Sequence, residues 1–93
     1  MKVESISRIL EAVPGVRAEG ATWTIPEELE LSVYLAMPSE MITIARVAKI
    51  SSGADVLTIE TVKGERFFFP PEFVAGLKAG HIEPRGPRST GFR

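Results

Sequence analysis

The middle of the chain carries an unbroken alternation of apolar and polar residues. Every second residue from Leu29 to Leu35 is aliphatic, and the residues between them are smaller or more polar. This two-residue period predicts a half-buried β-strand over residues 26–37. The stretch begins with proline and two glutamates, which also suits the first turn of a helix. The uninterrupted alternation favours the strand.

The beginning of the chain has a helical period instead. Aliphatic residues from Val3 to Val13 are spaced three or four positions apart, which predicts an amphipathic helix over residues 2–13. Pro14-Gly15 is expected to end this helix, because proline cannot continue it and glycine permits a reversal. A stripe of this kind is typical of a helix that packs onto a core.

Two more strand regions are predicted on either side of the central stretch. Residues 16–25 are expected to form a short strand or an irregular segment, in which Trp23 packs against the sheet. Residues 41–50 are rich in β-branched side chains and predict one strand with a bulge near Ala45-Arg46.

A hairpin is predicted next, with strands over residues 56–62 and 65–69 and a turn at Lys63-Gly64, where glycine supplies a positive φ. Its second strand contains three consecutive phenylalanines. Because neighbouring side chains point to opposite faces of a strand, Phe68 faces away from the other two. Either the monomer covers both faces of the sheet, which is the simpler expectation, or Phe68 belongs to an exposed apolar surface.

Helix-start and helix-stop signals follow the hairpin. Pro71 suits the first position of a helix and Gly80 is placed to end it, which predicts a short helix over residues 71–79 and a short last strand at 81–83. Residues 84–93 are basic and rich in proline and glycine. This composition is typical of a flexible tail.

The predicted fold is α+β, with an N-terminal helix, a small antiparallel β-meander and a short helix near the C-terminus, in one domain over residues 1–83. From residue 29 to 83, the order of strands, turns and short helix resembles that of SH3-like and Sm-like small barrels. The resemblance is architectural, because the glycine and asparagine signatures of the Sm type are missing from the sequence. It implies a partly open barrel and no particular function.

Composition narrows the class of protein. The 93 residues are 44% hydrophobic and 25% charged, as in an ordinary globular domain. The sequence has no cysteine, which excludes disulfides and thiolate metal sites and favours a cytoplasmic location. No apolar run approaches the roughly 20 residues of a membrane span. The net charge is −1, yet residues 18–45 hold five glutamates and no basic residue.

The sequence offers little catalytic chemistry. His81 is the single histidine, and no serine, histidine and acid stand in an order that identifies a triad. With Glu83 it supplies at most two metal ligands, fewer than a zinc site needs. The glycine spacing and lysine of a phosphate-binding loop are missing. We therefore expect no enzymatic activity and no cofactor.

Two binding functions are compatible with this pattern. The first is an adaptor or regulatory module that binds a protein partner, or a second copy of itself, through an exposed apolar surface. The candidate residues are Phe68, Tyr34 and Trp23, and Trp23 serves this role only if it is exposed.

The second is a small β-barrel that binds nucleic acid. Phosphate contacts require clustered basic residues, and single strands also stack on aromatic side chains. Arg66 is expected to share a strand face with Phe68. The other candidates in the sequence are Arg46, Lys63, Arg85 and Arg88, and Lys49 is a further basic residue available for phosphate contacts.

Overall fold

The computed structural model describes residues 1–81. Residues 82–93, with the predicted tail and most of the predicted last strand, lie outside the described residues. The elements of the described part are α1 Val3–Ala12, β1 Arg17–Glu19, β2 Thr22–Thr24, β3 Leu29–Ala36, β4 Met41–Ile44, β5 Val47–Ser52, β6 Leu57–Thr61, β7 Arg66–Phe69, a 3₁₀ turn Pro71–Phe73 and β8 Val74–His81.

The strands form two antiparallel sheets. One has five strands in the order β1-β2-β5-β6-β7, and the other has three in the order β4-β3-β8. Within residues 1–81 no strand pairing joins the two sheets. The α+β class and the N-terminal helix are confirmed, and the described sheets are not closed into a barrel.

The core lies between the two sheets. The predicted alternation in β3 is confirmed, because every second residue from Leu29 to Leu35 is buried. The five-stranded sheet contributes Ile50, Leu57 and Ile59 from its covered face. Ile6 and Leu10 of α1 join the same cluster. Each sheet therefore has one covered face, as in a two-layer fold.

Helix α1 lies at one end of the two sheets. It borders the β5–β6 connection at Ala54-Asp55, and the Met1 nitrogen donates hydrogen bonds to the backbone oxygens of Glu72 and Val74, each at 3.1 Å. Gly15, with φ of 92°, reverses the chain after the helix, as the Pro14-Gly15 pair predicts.

The prediction of one bulged strand over residues 41–50 is wrong. β4 belongs to the three-stranded sheet and β5 to the five-stranded sheet. The chain changes sheets at Arg46, whose φ is 57°, and the Val62 N–H donates to the Arg46 carbonyl oxygen at 2.9 Å. A change of direction at one residue can thus carry a chain from one layer to the other.

The prediction of a helix over residues 71–79 is also wrong. Only one 3₁₀ turn forms, and β8 then pairs with β3 along its length. The register shifts so that Val74 lies opposite Leu35 and Gly76 opposite Tyr34. The extra residue between them puts Val74 and Leu77 on the same face, three positions apart. A bulged strand therefore imitates the spacing of a helix, and Gly80 lies within the strand instead of ending a helix.

The β6–β7 hairpin is confirmed, with Gly64 at φ of 90°. Its loop includes Val62 as well as Lys63, since the Gly64 N–H donates to the Thr61 carbonyl oxygen at 2.9 Å. The segment over residues 16–25 contains the hairpin of β1 and β2.

Trp23 is a core residue on β2, with 5% of its surface exposed. Its indole Nε1 is buried and has no hydrogen-bond partner among the described residues. A buried donor without an acceptor costs about 1–3 kcal/mol. The expected packing of Trp23 against the sheet is therefore confirmed, at the expense of one unpaired polar atom.

Leu10→Ala tests the packing of α1 on the core. Leu10 has no exposed surface, whereas its neighbour Ile9 is 36% exposed. Removing a buried leucine side chain is expected to lower the free energy of unfolding by about 2–5 kcal/mol, and Ile9→Ala by about 1 kcal/mol or less. Urea unfolding followed by circular dichroism measures both. Equal losses would contradict the position of the helix.

Trp23→Phe tests the unpaired indole nitrogen. This substitution removes contacts but also removes the unsatisfied donor, so we expect a loss of less than about 1.5 kcal/mol in the free energy of unfolding. Trp23→Ala should cost about 3–5 kcal/mol because it empties the site. Chemical denaturation measures both variants. A Phe variant as unstable as the Ala variant would show that the indole N–H has a partner.

Candidate functional site

The outer face of the five-stranded sheet collects side chains from all five strands. Directly paired residues share a face in an antiparallel sheet, so the register defines two rows across it. One row is Arg17, Thr24, Lys49, Glu60 and Arg66. The other is Glu19, Thr22, Ser51, Thr58 and Phe68. We call these ten residues the Phe68 face.

Phe68 is the apolar exception on this polar surface. It lies on the edge strand β7 opposite Thr58, and 62% of its surface is exposed. Val56, two residues before Thr58, is 43% exposed, and strand alternation places it on the same side. An exposed aromatic ring beside an exposed valine forms a small apolar patch at one corner of the face.

Basic side chains outnumber acidic ones on the Phe68 face. The Arg66 Nε lies 3.6 Å from Glu60 Oε1 in an exposed ion pair, which contributes at most about 1 kcal/mol. Within residues 1–81, Lys49 and Arg17 have no carboxylate partner within 4.0 Å. Among the described residues, two cations and Glu19 without ion-pair partners therefore share the face with a single weak ion pair.

Hydroxyl groups occupy the centre of the face. The Thr22 Oγ1 and Ser51 Oγ atoms lie 3.3 Å apart and share a hydrogen bond across β2 and β5, and Thr58 continues the row towards Phe68. With strands about 4.8 Å apart, the five strands span about 19 Å. The result is a wide polar surface with donors and acceptors fixed on paired strands.

The three residues predicted to bind a partner do not form one surface. Phe68 is exposed. The simpler expectation, that the monomer covers both faces of its strand, is therefore wrong. Trp23 faces the core and cannot belong to an exposed surface. Tyr34 is half-buried on the outer face of the three-stranded sheet, between Thr43 and Gly76. Of the three, the Phe68 face contains Phe68 alone.

The basic residues that were predicted to bind nucleic acid also lie on different parts of the structure. Arg66 shares a face with Phe68, as the strand period predicts. Arg46 and Lys63 instead line a small depression of about 170 Å³ between the β4–β5 corner and the β6–β7 turn. Arg85 and Arg88 lie outside the described residues.

Sequence reasoning named Lys49 among the available basic residues but did not assign Arg17 and Thr58 to the site. Thr58 could have been found from the hairpin, because it faces Phe68 across two predicted strands. Lys49 lies opposite Glu60 in the pairing of β5 with β6, whereas Arg17 joins the face through the pairing of β2 with β5. That pairing skips two intervening strands of the chain, and no local pattern shows it.

Neither a metal site among the described residues nor a related protein assigns a function to the Phe68 face. Within residues 1–81 no group of three histidine, aspartate or glutamate side chains could hold a metal ion, and no helix has the length and apolar character needed to cross a membrane. No protein-family model matches the chain, and neither the curated proteins nor the solved structures searched gave a match.

Proposed function

We propose that this protein is a non-enzymatic adaptor or regulatory module of the cytoplasm that binds a protein partner through the Phe68 face. The observation that carries the proposal is the 62% exposure of Phe68 on a strand of a paired sheet. Large aromatic residues are costly to leave in water, and at interfaces they often provide much of the binding free energy.

The surroundings of Phe68 support a role in binding. Its strand is paired with β6, so partner binding requires little ordering of the backbone. Val56 extends the apolar patch, and the hydroxyl and charged residues beside it resemble the polar rim of an interface.

The charges indicate the chemistry of the partner. Among residues 1–81, Lys49 and Arg17 of this face have no ion-pair partner, and opposite charges across an interface favour specific association. We therefore propose a partner that offers an apolar side chain near carboxylate groups. A second copy of this chain is one partner that the experiment can identify.

Phe68→Ala is the direct test of this surface. Met41→Ala is the matched control, because Met41 is also 62% exposed but lies on the three-stranded sheet. Both variants should keep the free energy of unfolding within about 1 kcal/mol of the wild type. We expect Phe68→Ala alone to lose the partner, in tagged pull-downs from source-cell lysate with nuclease, read by mass spectrometry.

Two results would contradict the protein-binding proposal. The first is a set of captured proteins that does not change in Phe68→Ala. The second is a collapse of the unfolding transition in that variant, which would make Phe68 a structural residue. Sedimentation velocity of the purified protein identifies self-association, which Phe68→Ala should abolish if the partner is a second copy.

Binding to single-stranded nucleic acid is a second candidate, favoured by one observation. Arg17, Lys49 and Arg66 lie in one row beside the row that ends in Phe68. Basic groups next to an aromatic ring on a sheet suit a phosphate backbone with a stacked base. Glu60 and Glu19 lie on the same face and oppose this binding, and Phe68 is its one aromatic residue, so protein binding remains the first candidate.

Charge reversal separates the two candidates. Lys49→Glu combined with Arg66→Glu should abolish binding to a labelled single-stranded oligonucleotide, because phosphate contacts provide most of such affinity. Lys78→Glu is the control, since Lys78 is exposed on the other sheet. Fluorescence anisotropy at low and high salt measures the affinity. Wild-type binding that is weak and insensitive to salt would exclude this second function.

A further inference from the structure

The start of β3 and the corner at Arg46 border an open cleft that the proposed function does not use. Its volume is about 550 Å³, within the roughly 300–1,000 Å³ typical of ligand sites. It lies between the β2–β3 connection and the corner where β4 leads into β5. The lining residues are Ile25, Pro26, Glu27, Leu29, Glu30, Arg46, Val47, Ala48 and Val62.

The cleft combines apolar walls with charges that are separated in space. Glu27 and Glu30 belong to the β2–β3 connection and the start of β3, whereas Arg46 belongs to the β4–β5 corner. All three are exposed, and none has an ion-pair partner within residues 1–81. One wall therefore offers two free carboxylates beside apolar surface.

The chain leaves the described structure beside this acidic wall. His81, the last residue of β8, pairs with Leu29, and Gly80 pairs with Glu30. Leu29 and Glu30 both line the cleft. The described part of the chain therefore ends beside the cleft.

The sequence of residues 82–93 complements the cleft. The segment carries Arg85, Arg88 and Arg93 against one acid, and it contains one aromatic residue, Phe92. Arginine side chains suit the two glutamates, and a phenyl ring suits the apolar walls. From His81 the chain can reach up to about 36–40 Å by Phe92, so its length does not limit docking.

We propose that residues 82–93 of the same chain occupy the cleft, with Phe92 between its apolar walls and Arg85 and Arg88 against Glu27 and Glu30. Arg46, on the other wall, directs the arginines to the glutamate side by repulsion. A short tether gives an effective concentration on the order of millimolar, so weak contacts are enough for docking. The cleft is thus a site for a basic segment with an aromatic side chain, separate from the Phe68 face.

Methyl NMR spectroscopy of the full chain tests this docking. Phe92→Ala should shift the methyl resonances of Ile25, Leu29 and Val62, which line the cleft. Leu10, at the helix end, should not shift and reports an intact fold. Ser89→Ala is the matched control in the same segment. Cleft resonances that respond equally to both substitutions, or to neither, would overturn the proposal.

A charge exchange tests the ion pairs. Arg85→Glu with Arg88→Glu should lower the ratio of docked to undocked chain by roughly 2- to 30-fold, as expected for two exposed pairs. Adding Glu27→Arg and Glu30→Arg to that variant should restore the wild-type resonances of Val62 and Leu29. Failure of the combined variant to recover would contradict the pairing.

Concentration dependence distinguishes docking within one chain from docking between copies. Shifts caused by Phe92→Ala should be the same at low and high protein concentration if each segment fills its own cleft. Shifts that appear only at high concentration would overturn the proposal in favour of exchange between two molecules. Neither result depends on Phe68, so these experiments test the docking of residues 82–93 independently of the proposed function.

Discussion

The structure depends on the burial of one face of each sheet against the other. A chain of this size has a limited core. Here that core is one cluster of aliphatic residues and Trp23 between the two layers, with Leu31 and Ile59 fully buried within it. The hydrophobic effect fixes the strand registers, because a slip by one residue would turn every buried side chain towards water. The exposed surfaces follow from the same constraint.

The Phe68 face is the reverse side of that packing. Phe67 and Phe69 pack partly against the core, and the pleat of β7 then requires Phe68 to point outwards. The same alternation places Thr58 and Lys49 on the outside of β6 and β5. The exposure of the Phe68 ring is therefore a geometric consequence of the burial of its neighbours. Binding of a partner would remove this ring from water.

The two ends of the sheets differ because the chain has one long helix within the described residues. The first residues of α1 border the β5–β6 connection and the 3₁₀ turn at one end, and Leu10 of the same helix is buried in the core. The other end is bordered by the corner at Arg46 and remains an open cleft. The acidic β2–β3 connection and the exit of the chain at His81 lie at this open end.

Sequence alone determined the elements whose pattern is local. Helix α1, strand β3, the turn at Gly64 and the shared face of Arg66 and Phe68 all follow from the spacing of apolar residues and from turn chemistry. Only the tertiary structure decided the change of sheet at Arg46, the strand β8 and the row that joins Arg17 to Arg66. Each of these depends on pairing between distant segments, and a bulge that shifts the strand period by one residue hides such pairing from any local pattern.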